Sequence, residues 1–415
     1  MPTWRKAYVL GLLLFVTISN QIDRQVLSIL IEPIKHEFHA SDTAMGLIAG
    51  TFFMVFYMAG GLPIARLADV KSRRVIIAAC VGAWSVATAV SGAVQSYAQL
   101  ALARTCVAVG EGGCAPAITS LLAEIIPQRL RVRALSVISS GSAIGVAFGT
   151  FLGGTLSEML GWRMVFLVVS IPGFILAPLI WLTLPEPREK RAPSEIKKPP
   201  RVREALLSFW RIPSYRALAV VAFAGGYSGF ATLAWMPSFM IRVHHLSKSE
   251  VGIKLGLALV LGMMFGNLSS GYLADRFKKR SPSWIMWITG MALTLAVPFG
   301  LASVFVTDAN LGFIYFGCFS YLLAFWPPTV AASAVGVVDP RAKTLSASAM
   351  LVFQSVAGAL GPFIIGAMND GLSLVYGPMA IRYSVALSIA FLLVGAVGCF
   401  FAGRSLVKDY RPTND

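Results

Sequence analysis

Charge is scarce in this chain. Asp, Glu, Lys and Arg together make up 13% of 415 residues, about half the roughly 25% share found in soluble domains. That excludes an ordinary globular enzyme with a solvated surface. Cysteine is also sparse, with five residues. Cys80, Cys106, Cys114, Cys318 and Cys399 all fall in apolar stretches, none is spaced for a metal, and no disulfide framework follows. The four histidines, His36, His39, His244 and His245, sit in loops after the first and seventh apolar stretches. They read as loop residues, with a metal or pH sensor as the other reading. Gly110-Glu111-Gly112-Gly113 has no Gly-Lys-Ser/Thr after it, so a nucleotide loop is unsupported. No nucleophile and base are spaced for catalysis. Neither an enzyme nor a cofactor is expected.

What the chain has instead is long hydrophobic runs. Apolar residues make up 56%, and mean hydropathy is +0.72. Runs of 18 or more apolar residues read as membrane helices. Twelve are present, from 8–31 to 378–403, and they account for nearly the whole chain. An all-α integral membrane protein with twelve transmembrane helices is predicted. The first run has a basic start, but it is long and carries Asp23-Arg24, so it reads as a retained helix rather than a leader.

The net charge of +16 is an orientation signal. With alternate loops assigned to the N-terminal side, that side collects 27 Lys and Arg and the other side six. The positive-inside rule then places both termini in the cytoplasm of a cell (inner) membrane protein. Basic and aromatic residues are not interleaved, so no nucleic acid partner is expected. Membrane lipids, a small-molecule or lipid substrate and protons are the expected partners, with a monomer as the working unit.

The runs divide six and six. Residues 1–184 form one bundle, 185–215 a basic cytoplasmic linker (PEPREKRAPSEIKKPP at its start), and 216–415 a second bundle. The halves resemble each other. Asp69 and Asp275, and Gly46 and Gly252, are both separated by 206 positions; Pro127 and Pro340 by 213; Gly149 and Gly361 by 212. A nearly constant offset argues for a duplicated six-helix unit. Parallel repeats of this kind are one transporter plan, with the substrate near the midplane. Gly141, Gly145, Gly149 and Gly153 recur every fourth residue, a small-residue face for close helix packing.

Away from the turns at their ends, where Glu124, Lys254 and Arg382 lie, ten of the twelve runs hold no charge. The other two hold Asp23, Arg24, Arg104 and Glu111. A charge at the bilayer centre costs ~2.5–3.5 kcal/mol on insertion scales, so four of them mark a site. Arg104 and Glu111 are seven residues apart, close to two helical turns, and share a face. One reading is a buried structural salt-bridge network. The functional reading is proton coupling plus anion binding. Asp23 and Glu111 are the proton-coupling candidates, because burial and neighbouring arginines act in opposite directions on a carboxylate's proton affinity. Arg24 and Arg104 offer forked donors to a phosphate or carboxylate. The second half carries aromatics instead. Tyr227, Trp235, Tyr321 and Trp326 are substrate-binding candidates for an apolar tail, although core packing explains most such residues.

The residues after the second run, Ala65-Arg66-Leu67-Ala68-Asp69-Val70-Lys71-Ser72-Arg73-Arg74, resemble the G-x-L-A-D-R-x-G-R-R loop of the major facilitator superfamily. Gly271-Tyr272-Leu273-Ala274-Asp275-Arg276 repeats its core. The resemblance implies two pseudo-symmetric six-helix bundles, with runs one and four lining the central cavity. A cytoplasmic gate at Asp69, Arg73, Arg74, Asp275 and Arg276 is expected, in which an aspartate caps a neighbouring helix N-terminus; simple solvation is the alternative. Asn20-Gln21-Ile22-Asp23-Arg24, with Arg104, Glu111 and Pro116, is similar to the Spinster lipid transporters. That resemblance implies a sphingolipid- or lysolipid-like substrate, transport roles for Asp23, Arg24, Arg104 and Glu111, and a place for Asn20 among the substrate-binding residues. Symport of small organic acid anions is the alternative.

Overall fold

A membrane-crossing segment must satisfy its own backbone, and helices do this within one segment. Among the described residues every regular element is helical. The computed structural model describes residues 3–186, 207–278, 280–339 and 342–410, apart from a few side chains within those segments. Most of the 185–215 linker therefore lies outside the described residues.

The elements are α1 (Thr3–Phe38), α2 (Asp42–Gly46), a π-helical turn (Leu47–Phe52), α3 (Phe53–Val70), α4 (Arg73–Ser91), α5 (Tyr97–Ile125), α6 (Gln128–Leu160) and α7 (Trp162–Thr183). After the linker come α8 (Pro213–His244), α9 (Lys248–Lys278), α10 (Ser283–Phe305), α11 (Ala309–Leu323), α12 (Trp326–Gly336), α13 (Lys343–Tyr376), α14 (Ala380–Ala390) and α15 (Leu392–Asp409). Ser41, Ser72, Ser96 and Asp308 cap the starts of α2, α4, α5 and α11 by accepting backbone N–H groups. This is the usual remedy for the orphan donors of a first turn.

Ten stretches of the described residues are long and apolar enough to cross a membrane. Helix α1 is not among them, because Asn20 to Gln25 interrupts its apolar run with polar residues. The last stretch, Leu345–Asp409, covers 65 residues and turns at Gly377, whose φ of +55° suits glycine. Counting α1 and dividing this stretch gives the twelve crossings expected. Three crossings are less regular than the hydropathy suggests. The second contains the π turn. The tenth breaks between α11 and α12, where Pro327 and Pro328 fill the first turn of α12. The twelfth breaks at Phe391.

Contacts divide the chain into two units. Unit 1 is Met1–Ser194 with Met240–Val260; unit 2 is Glu195–Phe239 with Leu261–Asp415. In unit 1, α1 lies along α6, α3 and α4 both pack on α5, and α4 also packs on α7. The α1–α6 contact is the glycine face. A Cβ on Gly145 would stand 2.6 Å from the Ile18 carbonyl oxygen, and one on Gly149 would stand 2.8 Å from that of Ile22. Only glycine lets the two backbones meet there. Gly154 and Gly252 meet in the same way and hold the start of α9 in unit 1. In unit 2, α10 packs on α11 and α15, and α13 on α14.

Among the described residues, two that are not glycine adopt the left-handed conformation: His39 (φ 49°) after α1 and His245 (φ 54°) after α8. They are 206 positions apart, the same offset as the aspartates and glycines above.

Candidate functional site

Asp23 and Arg24 sit mid-way along α1, on adjacent positions that bond to different helices. The α1–α6 glycine face sets their depth, because Ile22 is one of the residues pressed against Gly149. On α5, Arg104 and Glu111 stand two turns apart. Gly112 lets α5 approach α3, since a Cβ there would run into the Tyr57 carbonyl. Two crossed ion pairs result. Arg104 donates through Nη1 to Asp23 Oδ1 (2.8 Å) and through Nη2 to the Asp23 backbone oxygen (3.3 Å). Arg24 donates through Nε to Glu111 Oε2 (2.6 Å). Asp23, Arg104 and Glu111 are 2%, 1% and 1% exposed; the Arg24 side chain keeps 22% of its surface.

Other residues complete the cluster, and sequence reasoning missed them. Thr88 of α4 donates its hydroxyl to Asp23 Oδ2 at 2.5 Å. The Arg24 guanidinium lies over the rings of Tyr57 (4.4 Å) and Phe53 (4.8 Å). Arg104 lies 5.7 Å from Phe166 and 5.8 Å from Phe53, so Phe53 touches both cations. Aromatic faces favour a cation held away from water. Glu111 Oε1 and Arg104 Nε have no hydrogen-bond partner among the described residues. The site therefore carries one spare acceptor and one spare donor, both buried. A tyrosine or threonine in an apolar helix gives no sequence signal that separates this role from packing.

The four aromatics singled out above belong to unit 2. Trp235 is fully buried and its indole N–H donates to the Pro362 carbonyl (2.8 Å). Trp326 is 6% exposed, its ring pressed on Gly225. Tyr227 is buried edge-on to Phe391 at 4.9 Å. Tyr321 is half-buried, 5.7 Å from Phe325. Asn20 is half-buried on α1, one turn before Arg24.

At the loop between α3 and α4, the side chain of Asp69 lies outside the described residues. Arg73 is buried and pairs with Glu124 of α5 at 2.8 Å. The N-terminus of α4 is occupied by Ser72 and by Glu186, which accepts from the Ser72 hydroxyl (2.8 Å) and the Arg74 backbone N–H (3.1 Å). Glu186, at the exit from α7, was not foreseen in this role. In the second copy, Asp275 is exposed near the end of α9, and Arg276 donates to the Tyr272 hydroxyl one turn earlier (3.1 Å).

A second charged cluster in unit 1 also escaped the sequence. Arg242 grips Asp42 through Nη1 (2.5 Å) and Nη2 (2.8 Å) and reaches Glu32 through Nε (2.8 Å). Lys35 adds a 2.5 Å bond to Asp42. Its four members span 210 positions, so no local motif announces it.

The sequence matches the Major Facilitator Superfamily over residues 13–362. The chain belongs to that superfamily. It is a multi-pass membrane protein and a transporter, not an enzyme. Among its superfamily relatives is an "MFS-type efflux pump" of Mycolicibacterium smegmatis, 33% identical, the match covering 98% of this chain and 94% of the relative. A cis,cis-muconate transport protein of Acinetobacter baylyi is 25% identical, with 99% and 96% covered. The crystal structure of a bacterial homologue of the human lysosomal transporter Spinster, in an inward-facing, unoccupied conformation, superposes with a TM-score of 0.88 at 27% identity. That match covers 99% of this chain and all of that one. The chain is thus similar to Spinster proteins in sequence and fold.

Proposed function

We propose that this protein is a proton-coupled secondary transporter that moves an amphipathic, anionic, lipid-like substrate of the sphingolipid or lysolipid class by alternating access. The observation that carries the reading is the pair of crossed ion pairs, Arg24–Glu111 and Arg104–Asp23, buried across two helices of unit 1. Charges in hydrocarbon are tolerated where they do work. A proton arriving on a carboxylate removes its charge and frees its arginine. The freed guanidinium then takes a phosphate or carboxylate headgroup through its planar fork. Loss of the proton on the other side restores the pair and expels the anion. Tyr227, Tyr321, Trp235 and Trp326 would serve the apolar tail, Tyr321 being the least enclosed. Asp69, Arg73, Arg74, Asp275 and Arg276 would close the cytoplasmic side. Both termini would face the cytoplasm of a cell (inner) membrane, with a monomer as the working unit.

A second reading is symport of small organic acid anions. It is favoured by the muconate transport relative and by two neighbouring arginines, Arg104 buried and Arg24 half-buried, that suit a compact dicarboxylate equally well. Purified protein in vesicles, with an imposed pH gradient, separates the two. Lysophosphatidate is the probe for the first reading and cis,cis-muconate for the second. Gradient-driven, saturable flux of lysophosphatidate supports the proposal. Flux of muconate alone supports the alternative, and flux of either without response to the gradient refutes proton coupling.

A further inference from the structure

The two buried carboxylates are not equivalent. Asp23 has both oxygens bonded: Oδ1 to Arg104 and Oδ2 to Thr88. Glu111 has Oε2 bonded to Arg24 and Oε1 bonded to nothing among the described residues. A carboxylate whose two oxygens both accept has its charge fully met; one with an orphaned buried oxygen does not.

Thr88 stands out among the serine and threonine hydroxyls inside the helices of its unit. A hydroxyl in an apolar helix ordinarily bonds back to its own helix, three or four residues earlier. Ser85 and Ser91, which flank Thr88 on α4, do this toward Val81 and Ala87. Thr105, Thr119 and Thr150 do the same on their helices. Thr88 gives its single proton to Asp23 on another helix instead, and it is 1% exposed while doing so. Helices α1 and α4 pack mainly on other partners, so this bond is a dedicated link between them.

We propose that Thr88 is a positioning residue that divides the labour of the site. With Arg104 it holds Asp23 as a fixed, charged strut, and it leaves Glu111 as the carboxylate that takes and releases the coupling proton at Oε1. This rests on the proton-coupled reading above and assigns the proton within it. The step balances. A proton from water on one side adds to Oε1, Glu111 becomes neutral, and Arg24 is released to the substrate anion; the proton leaves to water on the other side as the pair re-forms. The charged and titratable groups around the two carboxylates are Arg24 from α1, Tyr57 from α3, Arg104 from α5, and the buried thiols Cys80 of α4 and Cys114 of α5. Of these, only Arg24 and Arg104 bond to the carboxylates among the described residues.

The test is an infrared pH titration of the purified protein, read at the stretch of a protonated carboxyl, with transport of lysophosphatidate and muconate in vesicles alongside. Wild type should show one buried carboxyl that titrates. Glu111→Gln should abolish the band, and Asp23→Asn should keep it. Thr88→Val has the same shape as threonine without the hydroxyl. It should add a second titrating carboxyl and lower gradient-driven transport by about 10- to 100-fold, the worth of a hydrogen bond to a charged group. Thr88→Ser restores the hydroxyl with a smaller side chain and should behave as wild type. A packing role predicts the reverse order, with valine tolerated and serine not, and would overturn the inference. So would a band lost in Asp23→Asn and kept in Glu111→Gln, an arm that holds even if Thr88→Val fails to fold. If wild type shows no titrating buried carboxyl and no response to the gradient, the proton-coupled reading itself fails.

Discussion

Replacing Gly149 by alanine should disable the site from the far side of α1, without touching any charged residue. The new Cβ would lie 2.8 Å from the Ile22 carbonyl oxygen, whereas ordinary contact begins at 3.4 Å. Backbone must retreat by the difference, about 0.6 Å, because an oxygen fixed in a helix ladder cannot swing aside. Asp23 is the next residue. If it retreats with Ile22, the 2.8 Å bond from Arg104 stretches to the edge of hydrogen-bonding range. Overpacking of this kind costs about 1–3 kcal/mol in stability. Loss of a hydrogen bond to a charged group costs about 1.5–3 kcal/mol, or roughly a 10- to 100-fold fall in transport. The control is Gly141→Ala on the same face. There the nearest atom is the tip of the Leu14 side chain, at 2.7 Å, and a flexible tip can move. Gradient-driven uptake in vesicles and the Tm of the purified protein should therefore both fall for Gly149→Ala and hardly change for Gly141→Ala. Equal damage from the two, or wild-type uptake by Gly149→Ala, would refute the argument.

Other substitutions probe the remaining charges. Arg104→Lys keeps the charge but loses the fork that reaches both the Asp23 carboxylate and its backbone oxygen; affinity for an anionic substrate should fall about tenfold or more in a binding titration. Arg242→Gln removes the guanidinium that grips the buried Asp42 and should lower stability by about 1.5–3 kcal/mol, the worth of a hydrogen bond to a charged group, with partial recovery in the Arg242→Gln, Asp42→Asn double variant, as read by thermal unfolding. Glu37 lies beyond the apolar part of α1, and bonds from Arg163 and then Trp162 hold its carboxyl below the ordinary value of 4.5. A lowered folded value stabilises above the ordinary one and is lost as pH falls through the folded one. Glu37→Gln should therefore cost under about 1 kcal/mol at neutral pH, since the pair is partly exposed, and nothing at strongly acidic pH.

The overall fold and the four charges at the heart of the candidate site were legible in the sequence for the same reason. Apolar length reports membrane crossing directly, and a charge is conspicuous against that background. Asp23, Arg24, Arg104 and Glu111 were found because no other charged residue lies away from the end turns of the twelve runs. The glycine spacing of α6 was legible too, since four-residue periodicity is a property of one helix. What escaped was relational. Thr88 looks no different from Ser85 or Ser91 until its hydroxyl is seen to point at α1. Arg242 meets Asp42 across 200 positions. Glu186 stands at the edge of a charged linker, where nothing marks it as the residue that closes the start of α4. Trp235 and Trp326 were legible as aromatics, but burial and a bond to Pro362 are facts of packing that composition does not carry.

His39 and His245 turn the chain with a left-handed backbone at matching points of the two copies. That conformation disfavours a side chain by about 1–2 kcal/mol, and glycine would remove the penalty at either place. A costly stop that occurs twice at one spacing is more readily inherited than invented twice. Two helical hairpins bent alike at one spacing are what a duplicated unit carrying its own corner would leave behind.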